Sequence, residues 1–168
     1  MIIKVDTREQ KNEEVIAYFQ SVGQPYIREK VNAGDYCEYE NPTVTIDLKK
    51  DLEEVVGNVA KQHDRFVRVI LRANNEMGCK LVVLIRKPLK KLEDVKKYKV
   101  RKFSENHPNR KLRGKPVTRM SMETLYKIMV SMEKKYNLEW RFCSRKDSGR
   151  VILEIIKNSK EEETNVKT

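Results

Sequence analysis

Thr43-Val44-Thr45-Ile46-Asp47-Leu48-Lys49 alternates without a fault. Val44, Ile46 and Leu48 fall on one side of an extended chain, and Thr45, Asp47 and Lys49 fall on the other. The pattern predicts a strand with one apolar face and one face that carries an acid and an amine two residues apart. Upstream, Asn32-Ala33-Gly34-Asp35 reads as a turn, with Gly34 free to adopt a backbone angle other residues avoid. Further strands are predicted at 2–5, 26–31 and 36–39, and a helix over 10–22 that stops at Gly23. The first strand delivers Asp6 and Arg8 at its C-terminal end.

Downstream, Asp51 and Glu54 have the spacing of a capping box, opening one long helix over about 51–74. Its apolar stripe is Leu52, Val55, Val56, Val59, His63, Phe66, Val67, Ile70 and Leu71, with His63 read as a packed residue. Arg65, Arg68 and Arg72 share a second face. The continuous apolar run 80–86 reads as a central strand covered on both sides. Pro88 opens a short helix to about Arg101, and 104–120 reads as loop. Ser121 caps a helix to about Tyr136, with Met122, Met129 and Met132 as core filling. A strand at 138–142 and a helix from Ser148 to about 157 follow. The order predicts an α/β class: a mixed sheet flanked by helices, in a single domain over 1–158, with a disordered polar tail at 159–168.

Composition removes several classes. The 168 residues hold no apolar run long enough to span a membrane. The opening Met1-Ile2-Ile3-Lys4-Val5-Asp6 lacks the pattern of a secretory signal. Cys37, Cys79 and Cys143 are too scattered for a disulfide framework or zinc knuckle, so the expected setting is a reducing cytoplasm.

Lysine and arginine total 36 against 25 acids, a net charge of +11. The window 87–119 holds 13 of the basic residues and three acids, Glu93, Asp94 and Glu105, so it carries +10 of that excess. Lys96, Lys97, Arg101, Lys102, Arg110, Lys111, Arg113, Lys115 and Arg119 are therefore candidate contacts to a nucleic-acid backbone. A solvated loop is the alternative reading, and the segment has no long apolar face for a membrane surface.

The acids suggest a chemistry. Phosphodiester hydrolysis needs charge neutralised at the scissile phosphate and a water made nucleophilic. A divalent cation held by two or three carboxylates does both, and a neighbouring lysine can orient the water. Asp35, then Asp47 and Lys49 on one strand face, offer such a set, with Asp6 able to reach the same place. An Asp-x-Lys pair can also be the solvent face of a strand.

Asp6-Thr7-Arg8-Glu9, Gly34-Asp35-Tyr36 and Asp47-Leu48-Lys49 together resemble the nuclease domain of the XPF family, within the restriction-endonuclease-like superfamily. That family shows Asp-x-Arg-Glu, Gly-Asp, and Glu-Arg-Lys followed four residues later by Asp. Here Asp47 stands for the Glu, Leu48 for the Arg and Glu53 for the later Asp. The family's helix-hairpin-helix module has no counterpart in these residues, and 87–119 forms a basic insert. The small stand-alone members found in phages are the most similar.

The resemblance implies a Mg²⁺- or Mn²⁺-dependent endonuclease that cuts branched or junction DNA, the alternative being a catalytically weak or inactive DNA-binding module of the same fold. It implies Asp35 and Asp47 as metal ligands, Asp6 as a further ligand or outer carboxylate, and Lys49 as the residue that positions or helps activate water. Arg8 and Glu9 would order the site or form a structural ion pair. Arg65 would support it or touch phosphate, and Tyr36 would stack on a sugar or base or fill the core. The resemblance also implies a homodimer, with the apolar stripes of 121–136 and 149–157 as candidate interface.

Overall fold

A computed structural model describes residues 1–166. Six strands, β1 (Ile3–Val5), β2 (Tyr26–Arg28), β3 (Tyr36–Glu38), β4 (Val44–Lys49), β5 (Lys80–Ile85) and β6 (Leu138–Phe142), form one mixed sheet in the order β2-β1-β3-β4-β5-β6. β3 runs antiparallel to both β1 and β4, and the other neighbouring strands are parallel. The helices are α1 (Glu13–Ser21), α2 (Leu52–Val59), α3 (His63–Leu71), α4 (Met122–Lys135) and α5 (Ser148–Val166).

The alternation in β4 divides two cores. Val44, Ile46 and Leu48 pack with Val82 and Leu84 of β5 against α1 and α5. On the opposite face Leu81, Val83 and Ile85 pack with α2, α3 and α4. β5 is thus apolar on both sides because both sides are covered. Thr45, Asp47 and Lys49 lie on the α2–α3 side of β4, at its boundary with that second core.

The predicted helix over 51–74 is two helices. The chain breaks at Ala60-Lys61-Gln62 and closes with a five-residue π-type turn at Arg72–Glu76. Leu52, Val55, Val56 and Val59 before the break and Phe66 and Ile70 after it enter the same core, so the stripe continues where the helix does not. His63 opens α3 and is exposed rather than packed. Residues 88–101 supply only a 3-10 turn, Leu92–Lys97.

The tail is not disordered as far as Val166. Lys160 pairs with Glu38 at 3.1 Å and donates to the Asn41 carbonyl, and Ser159 meets Thr43 at 2.8 Å, so α5 is tied to the β3–β4 turn. Residues 167–168 of that predicted tail lie outside the described residues. Tyr36 is fully buried and belongs to the core. The stripes of α4 and α5 lie inside the two cores, so they are not the surface excess expected of an interface. Among the described residues no helix is long and apolar enough to cross a membrane.

Candidate active site

The turn before β3 places Asp35. Gly34 has φ +82°, and a Cβ there would lie 2.5 Å from Thr45 Oγ1 and 2.9 Å from the Ile46 carbonyl oxygen. Only glycine lets the turn lie this close to β4. Asp35 N–H then donates to the Ile46 carbonyl at 2.7 Å, and Asp35 Oδ2 accepts from Leu48 N–H at 2.8 Å. Asp35 is thereby pinned beside the strand that carries Asp47. Burial and the Asp47 charge push the Asp35 carboxyl well above the usual carboxylate range.

Lys49 Nζ stands 3.0 Å from Asp47 Oδ1, with both side chains only 12% exposed. Burial works to lower the lysine pKa, but Asp47 and Glu54 outweigh it and hold it above its ordinary value. Lys49 is therefore a proton-bearing cation, suited to orienting a water or offsetting charge and not to acting as a base.

Asp6, Asp35, Asp47, Lys49, Arg8 and Arg65 all line one cleft of about 340 Å³. Their carriers are the ends of β1 and β4, the turn before β3, and α3. The sequence reading missed Glu54, Asn58, Gln62 and Arg72, which line the same cleft. Glu54 is one residue beyond the position aligned with the family Asp. A helix carries Glu53 and Glu54 about 100° apart, so this one-residue difference decides which one faces the cleft. Glu53 instead accepts from Tyr98 Oη at 3.1 Å and from Arg101 N–H at 2.9 Å. Asn58 Oδ1 is a buried acceptor without a partner among the described residues.

Asp6 plays a different part from Asp35 and Asp47. Its Oδ1 accepts from Arg8 N–H and Nε, and its Oδ2 accepts from Arg8 Nη2 and Val31 N–H, each at 2.8 Å. Those four donors fill the lone-pair directions of both oxygens. Burial opposes ionisation of Asp6, but the Arg8 and Val31 hydrogen bonds outweigh it and hold the pKa below its ordinary value. Asp6 thus clamps the end of β1 to the segment that leads into the Gly34 turn. Arg8 pairs with Asp6, not with Glu9. Glu9 accepts from Lys11 N–H at 3.2 Å, and its pKa is raised by burial and by Asp47 and Glu54 nearby.

The donor set fits a hard divalent cation. Asp35 and Asp47 offer carboxylate oxygens, and magnesium commonly uses one or two carboxylates and keeps several waters. Among the described residues no three His, Cys, Asp or Glu side chains form a ready-made cage. Any cation here would therefore be only partly held by protein.

No family model matches the chain, and no curated protein does. Solved structures do. XPF from Aeropyrum pernix is similar with a TM-score of 0.60 and 16% identity, over 95% of this chain and 61% of that one. XPF from Aeropyrum pernix in complex with DNA is similar with a TM-score of 0.59 and 15% identity, over 96% of this chain and 66% of that one. The chain thus spans just under two thirds of the structures it matches. Its fold is that of XPF from Aeropyrum pernix, a mixed six-stranded sheet flanked by helices, as expected from the sequence.

Proposed function

We propose that the protein is a metal-dependent endonuclease that hydrolyses phosphodiesters in branched or junction DNA: a flap, a fork or a four-way junction. The observation that carries this reading is the meeting of Asp35, Asp47 and Lys49 in one cleft on this fold. A DNA complex of the neighbouring XPF structure supports the choice of polymer.

Asp35 and Asp47 would hold Mg²⁺ or Mn²⁺. Such a cation neutralises phosphate charge and lowers the pKa of a bound water. Lys49 keeps its proton and donates toward the attacking water or a phosphate oxygen. Arg65 and Arg72 line the cleft without an ion pair among the described residues, and so can hold the phosphates that flank the cut. Asp6 and Arg8 fix the strand end on which this geometry depends.

Incubation of the purified protein with labelled flap, fork and four-way-junction DNA, in Mg²⁺ or Mn²⁺ against EDTA, tests the reading. Cleavage that needs the metal supports it. A DNA-binding module without catalysis is the second reading, favoured by the full engagement of Asp6 and by Leu48 in place of the family Arg. It predicts binding to the same DNAs with no cleavage in either metal. Pairing into a homodimer is proposed on the family resemblance alone; light scattering distinguishes a particle of 19.9 kDa from one of twice that mass.

A further inference from the structure

The positive charge of residues 87–119 is not drawn into ion pairs among the described residues, although Asp94 lies close enough to Lys91 and Lys97 to feel their charge. Ion pairs among the described residues draw on cations elsewhere, such as Lys4, Lys80, Arg145, Arg150 and Lys160, and none of the 13 cations of this segment takes part. Of its three acids, Asp94 serves backbone, accepting from Lys90 and Lys91 N–H, and the Glu105 carboxylate lies against Gly114. All nine candidate cations, from Lys96 to Arg119, are exposed.

A mobile, solvated loop would also leave its cations unpaired, but this segment is built. Val95 is buried in the core beneath α4. Lys96 sits over the Tyr126 ring at 4.3 Å. Phe103 N–H donates to the Lys115 carbonyl at 2.9 Å, Gly114 N–H to the Phe103 carbonyl at 3.1 Å and Val117 N–H to the Arg101 carbonyl at 2.9 Å, which makes a two-stranded stem. Beyond the stem, Phe103 packs on His107 and Arg113 Nε donates to the His107 carbonyl at 2.7 Å. Glu53 joins this arm to the cleft. It receives Tyr98 Oη and Arg101 N–H at the root of the stem, from the residue directly before Glu54 on α2.

We infer that residues 98–119 form a preformed clamp for the phosphate backbone of DNA, held in register with the carboxylate cleft by Glu53. The register to the cleft rests on the nuclease reading. A clamp of this kind reads backbone charge and shape, with little sequence preference. Glu53 is a positioning residue, because it touches the arm and not the nucleic acid.

Fluorescence anisotropy of a labelled duplex, titrated in EDTA over a range of salt, tests both parts. Replacing Arg110, Lys111, Arg113 and Lys115 together with Ala should flatten the slope of log affinity against log salt by about 2–3, at roughly 0.9 per lost phosphate contact. An unchanged slope overturns the clamp, as does tighter binding of wild type to anionic phosphatidylserine vesicles than to DNA. Glu53→Gln makes the opposite demand. It removes a negative charge beside the arm, so a purely electrostatic grip would bind DNA equally well or more tightly. A clamp that depends on the tether should bind about threefold to tenfold more weakly as its ordering is lost. Equal or tighter binding overturns the role of Glu53. Tyr98→Phe changes no charge, removes one tether and should weaken binding in the same direction, which covers a Glu53 variant that folds poorly. Neither measurement involves turnover. A protein that meets both criteria but cuts nothing in Mg²⁺ or Mn²⁺ supports the clamp and strikes only the nuclease reading.

Discussion

Lys49 Nζ lies 3.0 Å from Asp47 Oδ1, two residues back on the same strand, in a cleft that leaves both side chains 12% exposed. Removal of the acid therefore disturbs two things at once: an oxygen that can hold a cation, and the partner of a buried ammonium. Truncation to Ala would mix the two effects, since unpairing a buried charge costs about 3–5 kcal/mol.

Asp47→Asn keeps the side-chain volume and an acceptor for Lys49. Cleavage by this variant should fall at least about 100-fold, because metal catalysis supplies several kcal/mol of the barrier. Circular dichroism should show the fold retained. Single-turnover cleavage at near wild-type rate would place the site elsewhere.

Asp35→Asn should separate stability from activity. The folded pKa of Asp35 lies above its ordinary value, so the ionised carboxylate opposes folding at neutral pH. Asn retains an acceptor for Leu48 N–H and removes the repulsion with Asp47. Without divalent cation the variant should melt higher than wild type, by about 2–4 °C for each kcal/mol of relief. Added Mg²⁺ should raise the melting temperature of wild type but not of this variant, and cleavage should be lost. A variant that melts lower than wild type in EDTA would show that Asp35 is not under electrostatic strain.

Asp6 behaves in the opposite sense. Its folded pKa is depressed, so its contribution to stability is present above the ordinary carboxylate range and is lost as pH falls through the folded value. Asp6→Asn should lower stability at pH 7 by about 1–3 kcal/mol, because Val31 N–H loses its carboxylate acceptor while the exposed Arg8 is left to solvent. The gap to wild type should narrow below about pH 4. Urea titrations at pH 7 and pH 3 measure it, and a gap that stays constant with pH would rule out an ionised clamp.

Gly34→Ala tests the turn. The added methyl meets Thr45 Oγ1 and the Ile46 carbonyl inside contact distance, at a φ that L-residues disfavour by about 1–2 kcal/mol. Asp35 must then move relative to Asp47. Cleavage should fall by more than the loss of folded protein explains, as single-turnover rates corrected for folded fraction would show.

What the sequence made legible followed from local periodicity. The β4 strand was readable at both ends because its alternation coincides with the division between two cores. Gly34 and Asp35 were readable because few residues tolerate such a turn. The break at residues 60–62 was not readable: it contains no proline, and both halves feed one core, although His63 and Leu71 of the expected stripe are exposed and Val69 packs on the core instead. Glu54 was hidden by its neighbour Glu53, since a helix turns by about 100° per residue and the motif spacing does not say which acid faces the cleft. The engagement of Asp6 by Val31 N–H was invisible for another reason. It depends on a backbone donor 25 residues away, and any residue type except proline supplies one.

The basic arm leaves the sheet after β5 and returns at α4, and its root packs into the core that those two elements border. Its root is held by buried Val95, by Leu89, Leu92, Tyr98 and Val100 packed on the same core, and by Glu53. Among the described residues, none of 102–115 belongs to either core or lines the carboxylate cleft, so length or charge there can change while the cleft keeps its shape. On the proposed function, the grip on DNA and the chemistry at Asp35, Asp47 and Lys49 would then rest on separate parts of the chain, and one could change without the other.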